Sequence, residues 1–280
     1  MQLWQWVDPD GGVLDLEVEW DVDGYLMGSV VTAQQRVPGA LGSRYRHVTI
    51  GVAETDLLVT VRGATETGLW DNIEQLLDAM NPLRGVGRLR VTTDTRVRER
   101  TGIVTDGLGG KDKLGRTAGP LMLRFPITVR HDDPLWRPQT AVRTTITQPA
   151  SASSFFPFSL PWRIGTATQF GVLSIDNPGV HRLWPVFELD GPFTSVMARN
   201  DATGQSWTFT RSTSAGETVI VDTREGHKSV TLQDGSDVFT LLAGRLWPLE
   251  RGTTQITVDI AAHTSDTAVR IDRWPGYHQP

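Results

Sequence analysis

Leu14-Asp15-Leu16-Glu17-Val18-Glu19-Trp20-Asp21-Val22-Asp23 alternates apolar and acidic residues without a break. A β-strand sends successive side chains to opposite faces, so this spacing predicts one apolar face and one anionic face. Asp-Gly pairs at 10–11 and 23–24 bracket the stretch, and others stand at 106–107, 190–191 and 234–235. Each suits a turn or hairpin between strands. The same period of two places Leu57, Val59 and Val61 on one face. In the second half it groups Trp207 with Phe209, Val219 with Val221, and Ile256 with Val258 and Ile260. Glycine and proline are spread through the whole chain, between short alternating runs. The reading is a mainly β, antiparallel protein.

One segment departs from that period. In Leu69–Met80 the apolar positions Leu69, Trp70, Ile73, Leu76, Leu77 and Met80 follow the spacing of a buried helical stripe, and Asn81-Pro82 supplies the stop. The spacing predicts a helix packed on a sheet. From His131 to Arg163 the texture changes again, with Pro134, Pro138, Pro149, Pro157 and Pro161 and a Ser-rich centre. Proline removes ladder donors, so this stretch is expected to connect two domains, its far end packing through Phe155, Phe156, Phe158 and Trp162.

Bulk composition sets limits. With 280 residues, 39% hydrophobic and 21% charged, the chain can build packed cores, and its length suits two ordinary domains. The net charge of −5, with no basic excess in either half, gives no footprint for holding nucleic acid. The absence of cysteine excludes disulfides, thiolate-ligated metals and cysteine nucleophiles. The first ten residues show no basic segment before an apolar run, so no secretory signal is expected, and no stretch is long and apolar enough to insert in a membrane.

Sites for chemistry are scarce. Gly107-Leu108-Gly109-Gly110-Lys111-Asp112-Lys113 lacks P-loop spacing and reads as a loop. The six histidines have no ligand spacing; His131-Asp132-Asp133 offers oxygens to a cation but reads better as a solvated turn. No Gly-x-Ser-x-Gly elbow exists. Carboxylate pairs for glycoside hydrolysis are a spatial matter that spacing leaves open. Ten tryptophans invite a sugar-binding reading. Against it, Trp20 and Trp207 are in register with apolar neighbours and read as core, while Trp184 and Trp247 each precede a proline and read as covers over turns.

Beyond Gly171 an ordered series of motifs appears. It runs Ile175-Asp176-Asn177-Pro178-Gly179, Arg182-Leu183-Trp184-Pro185-Val186-Phe187-Glu188-Leu189-Asp190-Gly191-Pro192, and Asn200-Asp201-Ala202-Thr203-Gly204. It continues with Ala215-Gly216-Glu217-Thr218-Val219-Ile220-Val221-Asp222-Thr223-Arg224, Lys228-Ser229-Val230, and Leu246-Trp247-Pro248-Leu249. This series resembles the galectin-like C-terminal half of the distal tail proteins of siphophages, the long-tailed bacteriophages. The first half resembles the ring-forming domain of that family more loosely. Its cues are the early acidic strand, the helix followed by Asn81-Pro82-Leu83, and Asp133-Pro134-Leu135-Trp136.

The resemblance implies two β-sandwich domains: residues 1–148, carrying one α-helix and the ring contacts, and residues 155–280, galectin-like, with no room for an inserted carbohydrate module. It implies a structural protein rather than an enzyme, without cofactor or metal. Its partners would be itself, as a homohexameric ring, the tail tube protein, and the tail hub or tail-associated protein. DNA would meet it only in transit. Its place would be the virion tail tip, assembled in the host cytoplasm. Two other readings stay open: a carbohydrate-binding host-adsorption protein of the tail tip, and an enzyme acting on cell-wall polymer.

Two charged runs supply candidate residues for a ring. Asp15, Glu17, Glu19, Asp21 and Asp23 put five carboxylates on one strand face. Such a face can simply be solvated, or protect an edge strand by its charge. Alternatively it lines a channel past which phosphates slide, or it meets cations on a neighbouring subunit. Arg96, Arg98 and Arg100 alternate in the same way and are the expected cationic counterpart.

Overall fold

A computed structural model describes residues 2–36, 43–109, 121–147 and 169–280. Phe155, Phe156, Phe158 and Trp162, and the lysines at 111 and 113, lie outside the described residues. The chain divides into two compact units, Met1–Gln139 with Gly276–Pro280, and Thr140–Pro275.

The first unit contains β1 (Leu3–Val7), β2 (Val13–Asp23), β3 (Val30–Arg36), β4 (Ser43–Ile50), β5 (Ala53–Arg62), α1 (Glu66–Ala79), β6 (Gly87–Thr92), β7 (Val97–Asp106), β8 (Met122–His131) and the short β9 (Arg137–Pro138). Its main sheet runs β6-β1-β2-β5-β8-β7-β9, and β6 also pairs with β7. That extra pairing closes the ladder, so the two layers expected here belong to one sheet wrapped on itself. The inward residues follow the predicted period: Leu57, Val59 and Val61 of β5 join Trp4, Trp6, Leu16, Leu89, Val91 and Ile127 in one core.

The helix begins one turn earlier than its apolar stripe. The Thr65 hydroxyl accepts from the Gly68 N–H at 3.1 Å, an N-cap that satisfies one of the orphan donors of the first turn. Leu69, Ile73, Leu76 and Met80 are buried in the barrel core, and the Trp6 indole donates to the Ala79 carbonyl at 2.8 Å. Trp70 corrects the expected stripe. It stands about 100° around the helix from Leu69 and is 57% exposed.

Much of the expected Pro-rich connection is ordered structure. Pro138 lies in the two-residue strand β9 at the open side of β7, where a missing N–H costs nothing. The following β10 (Val142–Thr147) pairs with the last strand of the second unit over its full length. By compactness Gln139 falls in the first unit and Thr140 in the second, and residues 276–280 group with the first unit.

The second unit adds β11 (Gln169–Asn177), β12 (Val186–Asp190), β13 (Phe193–Asn200), β14 (Ser206–Thr213), β15 (Thr218–Asp222), β16 (Ser229–Leu232), β17 (Leu242–Gly244), β18 (Gly252–Ala261) and β19 (Ala268–Arg273). These form two five-stranded sheets, β10-β19-β12-β15-β16 and β11-β18-β13-β14-β17. Phe187, Val219, Val221 and Ile271 from one sheet meet Val196, Trp207, Phe209, Ile256, Val258 and Ile260 from the other in a single core. This is the two-layer packing of a β-sandwich. Trp247 is not a cover over a turn: it is fully buried, and the Phe187 ring meets both Trp207 and Trp247 edge to face at 5.1 and 5.7 Å.

The asparagines of the motif series are buried tethers. The Asn177 amide donates to the carbonyls of His181, Leu249 and Glu250, and its oxygen accepts from the Gly179 N–H. Asn200 accepts from Ala202 and Thr203 and donates to the Pro248 carbonyl. Both turns are thus stitched to the 248–250 segment.

Candidate assembly surface

The anionic run on β2 faces outward. Leu14, Leu16, Val18 and Val22 pack on the core, while Asp15, Glu17 and Asp23 are exposed and Glu19 is half-buried. The ladder to β5 jumps from Val18↔Val59 to Val22↔Leu57, and the side chains of Trp20 and Asp21 lie outside the described residues. Part of the charge is answered within the chain. Glu17 meets Arg62 of β5 at 2.8 Å, Glu19 meets Arg124 of β8 at 2.6 Å, and Asp15 accepts from Gln5 at 2.7 Å.

The far end of the strand differs. Asp23 lies directly opposite Asp56 in the ladder, and Asp56 and Asp106 both pair with Thr128. Three carboxylates thus share one row across neighbouring strands and line an open cavity of about 240 Å³. The Thr128 hydroxyl donates to Asp56 at 2.6 Å, and Asp106 caps the Gly107 N–H at 2.8 Å. Like charges opposite one another in a ladder are unfavourable, and Asp23 and Asp56 form such a pair.

The arginine run is not an exposed comb. Arg96 lies outside β7 and is exposed, but Arg98 and Arg100 point inward, 7% and 1% exposed. Arg98 donates to the Gln279 carbonyl at 2.7 Å and lies 3.6 Å from the centroid of the Tyr277 ring. Arg100 donates to the carbonyls of Tyr25 and Leu26 at 3.3 and 2.9 Å and lies over the Trp136 ring. Burial lowers the Arg100 pKa to about 10. Both guanidiniums are engaged within their own chain, so they do not offer the cationic face expected of them.

His131 is equally internal. It is fully buried, its Nδ1 facing the Thr101 carbonyl at 2.8 Å and its Nε2 facing the Thr55 hydroxyl at 3.0 Å. A carbonyl only accepts, so Nδ1 carries the proton and Nε2 accepts from Thr55 in the neutral ring. Burial, reinforced by Arg100, lowers its pKa to about 4. Asp133 is occupied in capping the Leu135 N–H and pairing with Arg137.

The feature that sequence reading missed is the hairpin β3–β4. It forms a two-stranded sheet that pairs with no other described strand. Every described side chain on it, at 30–35 and 46–50, is exposed, including Val30 and Val31 at 53% and Val48 at 56%. Val30 and Val31 are neighbours and so point to opposite faces; apolar groups are therefore exposed on both sides. Its root is held firmly. The Gly51 N–H donates to the Ser29 carbonyl at 2.7 Å, and the Ser29 N–H and hydroxyl both donate to the Val52 carbonyl. Just before it, the Trp136 indole and Arg100 converge on the Tyr25 carbonyl.

A closed strand barrel bearing one helix and an unpaired hairpin, followed in the chain by a two-sheet sandwich, is a fold shared with bacteriophage tail hub and baseplate proteins. The chain is similar to the SPP1 Dit protein, described as a paradigm of the hub adsorption apparatus of phages that infect Gram-positive bacteria, with a TM-score of 0.66 at 14% identity over 98% of this chain and 99% of that one. It is also similar to a chain of the phage P2 baseplate in its activated conformation. The calcium form gives a TM-score of 0.55 at 11% identity and the strontium form 0.53 at 12%, each over 98% of both chains. No protein-family model matches the sequence, and no curated protein matches it.

Proposed function

We propose that this chain is the structural distal tail protein of a long-tailed bacteriophage. Six copies close into a ring at the tail tip, with the tail tube protein on one side and the hub on the other. The ring leaves an opening through which DNA passes. The first unit carries the subunit contacts, and the second is a galectin-like sandwich. The protein works by geometry, with no catalytic step and no cofactor.

The observation that carries this reading is the hairpin β3–β4. A two-stranded hairpin is at best marginally stable alone in water. This one exposes valines on both faces from a root whose two legs are hydrogen-bonded to each other. Such a preformed apolar projection is stabilised when another chain covers it. The likeness to hub and baseplate chains over 98% of this chain supports the setting. The test is negative-stain imaging of the full chain beside a Val31→Asp/Val48→Asp variant. Both residues are exposed, so the variant's monomer should fold. Six-fold rings from the wild type and none from the variant are expected. Equal rings from both would overturn the role of the hairpin.

A further inference from the structure

A ring of more than two copies needs head-to-tail contacts, in which two different surfaces of the same chain fit each other. The hairpin supplies one of them, and its charge identifies the other. From Gly24 to Ala53 the sequence holds no aspartate or glutamate, yet it carries Arg36, Arg44, Arg46 and His47. In backbone register Arg36 and Arg44 sit on β3 and β4. Arg46 is the extra residue where the pairing steps from Ala33↔His47 to Gln34↔Tyr45, its guanidinium on Gln35 at 2.5 Å. Arg46 and His47 are exposed. The flanking strands have the opposite character. The stretch Val13–Asp23 holds five carboxylates and no cation, and Asp23 faces Asp56 across the ladder.

We propose that the basic, apolar hairpin of one copy docks on the acidic outer face of β2 and β5 of the next copy, its arginines meeting the Asp23–Asp56 end. This rests on the ring reading above and names the receiving surface. Two features of the chain favour it over other pairings. Hairpin against hairpin would bring arginines together, and acidic face against acidic face would bring carboxylates together, each a like-charge contact that costs association energy. Head-to-tail docking relieves the Asp23/Asp56 repulsion and covers one exposed face of the hairpin, such as that of Val30 and Val48, in one event. Glu17 and Glu19 already have in-chain arginines, whereas Asp23 and Asp56 set two carboxylates opposite each other. The cations expected opposite this strand exist, but on the hairpin instead of at Arg98 and Arg100.

The experiment uses the full chain and exploits its lack of cysteine. Arg46→Cys protein and Asp56→Cys protein are prepared separately, then treated with a short bis-maleimide singly and as a mixture. Head-to-tail docking yields cross-linked dimers in the mixture and few in either protein alone. Dimers from Arg46→Cys alone would replace the proposal with hairpin-to-hairpin pairing. In parallel, Arg44→Glu/Arg46→Glu and Asp23→Lys/Asp56→Lys are compared with the wild type by the concentration at half-assembly. Each pair should raise it at least tenfold, and mixing the two variants should recover most of the loss by restoring opposite charges. Wild-type rings with no effect from either pair would overturn the docking while leaving the ring reading intact. A wild type that never assembles, even with tube and hub proteins present, would overturn both.

Discussion

The Arg100 guanidinium carbon lies 4.5 Å from the centroid of the Trp136 ring, and both side chains hydrogen-bond the Tyr25 carbonyl at the root of the exposed hairpin. Arg100 is 1% exposed, and among the described residues no carboxylate hydrogen-bonds it. Removing it takes the donor from the Leu26 carbonyl, while the Tyr25 carbonyl keeps the Trp136 indole, and it leaves a void beside Trp136. An orphaned buried acceptor costs about 1–3 kcal/mol. By the same principle Arg100→Ala should lower stability by about 3 kcal/mol, read as a shift in the urea midpoint of tryptophan fluorescence. Arg100→Met, which fills the space without burying a charge, should cost clearly less. Equal losses would show that the hydrogen bonds, which neither variant keeps, account for the residue's contribution and that packing does not.

His131 gives the fold a pH dependence of definite sign. Its pKa in the folded chain is about 4, below its ordinary value of 6.5. Well above pH 6.5 both states hold a neutral ring and the residue contributes no slope. As pH falls from 6.5 towards 4, the unfolded state takes up a proton that the folded state refuses, so stability drops by about 1.4 kcal/mol per pH unit, about 3 kcal/mol in all. Urea unfolding at pH 7, 6 and 5 should show this decline, and His131→Gln should flatten it. An unchanged slope in the variant would assign the decline to other groups.

Thr65 should matter through a single hydrogen bond. Its hydroxyl caps α1 at the Gly68 N–H. Thr65→Ala is expected to cost about 1 kcal/mol, and Thr65→Ser almost nothing. Thermal unfolding followed by circular dichroism checks both. A loss as large in the serine variant would point to the methyl group instead.

Gly24 should tolerate no side chain. It follows β2 at φ +70°, and a Cβ there would stand 1.8 Å from the Glu54 carbonyl oxygen. Backbone blocks the space, so neither strand can yield cheaply. Gly24→Ala is expected to cost about 3 kcal/mol or more, whereas Gly11→Ala, with the same sign of φ but open space around it, should cost about 1 kcal/mol. Similar losses from both would mean that the β2–β5 contact is looser than described.

Period and turn chemistry carried most of the fold. The strands around Leu57, Phe209 and Val258 were legible because each alternates cleanly over a buried face. Asp-Gly pairs marked strand ends because positive φ suits glycine, as at Gly24 and Gly107. Trp70 and Trp247 were misplaced for a shared reason: a large ring fits either a core or a surface, and local spacing does not say which. Arg98 and Arg100 misled because alternation reports a shared face but not whether that face turns inward; here carbonyls, Trp136 and Tyr277 solvate the charges inside. The hairpin β3–β4 escaped notice because a sheet exposed on both faces has no apolar–polar period to read. Its lack of acidic residues over Gly24–Ala53 was the available signal.

The ring proposed for this chain has a definite mass. The most direct measurement is the mass of the purified full chain by light scattering across a concentration series, alone and with its tube and hub partners. The expected result is a discrete species of six times the 30.9 kDa of one chain. A single-chain mass at every concentration, partners included, would contradict it.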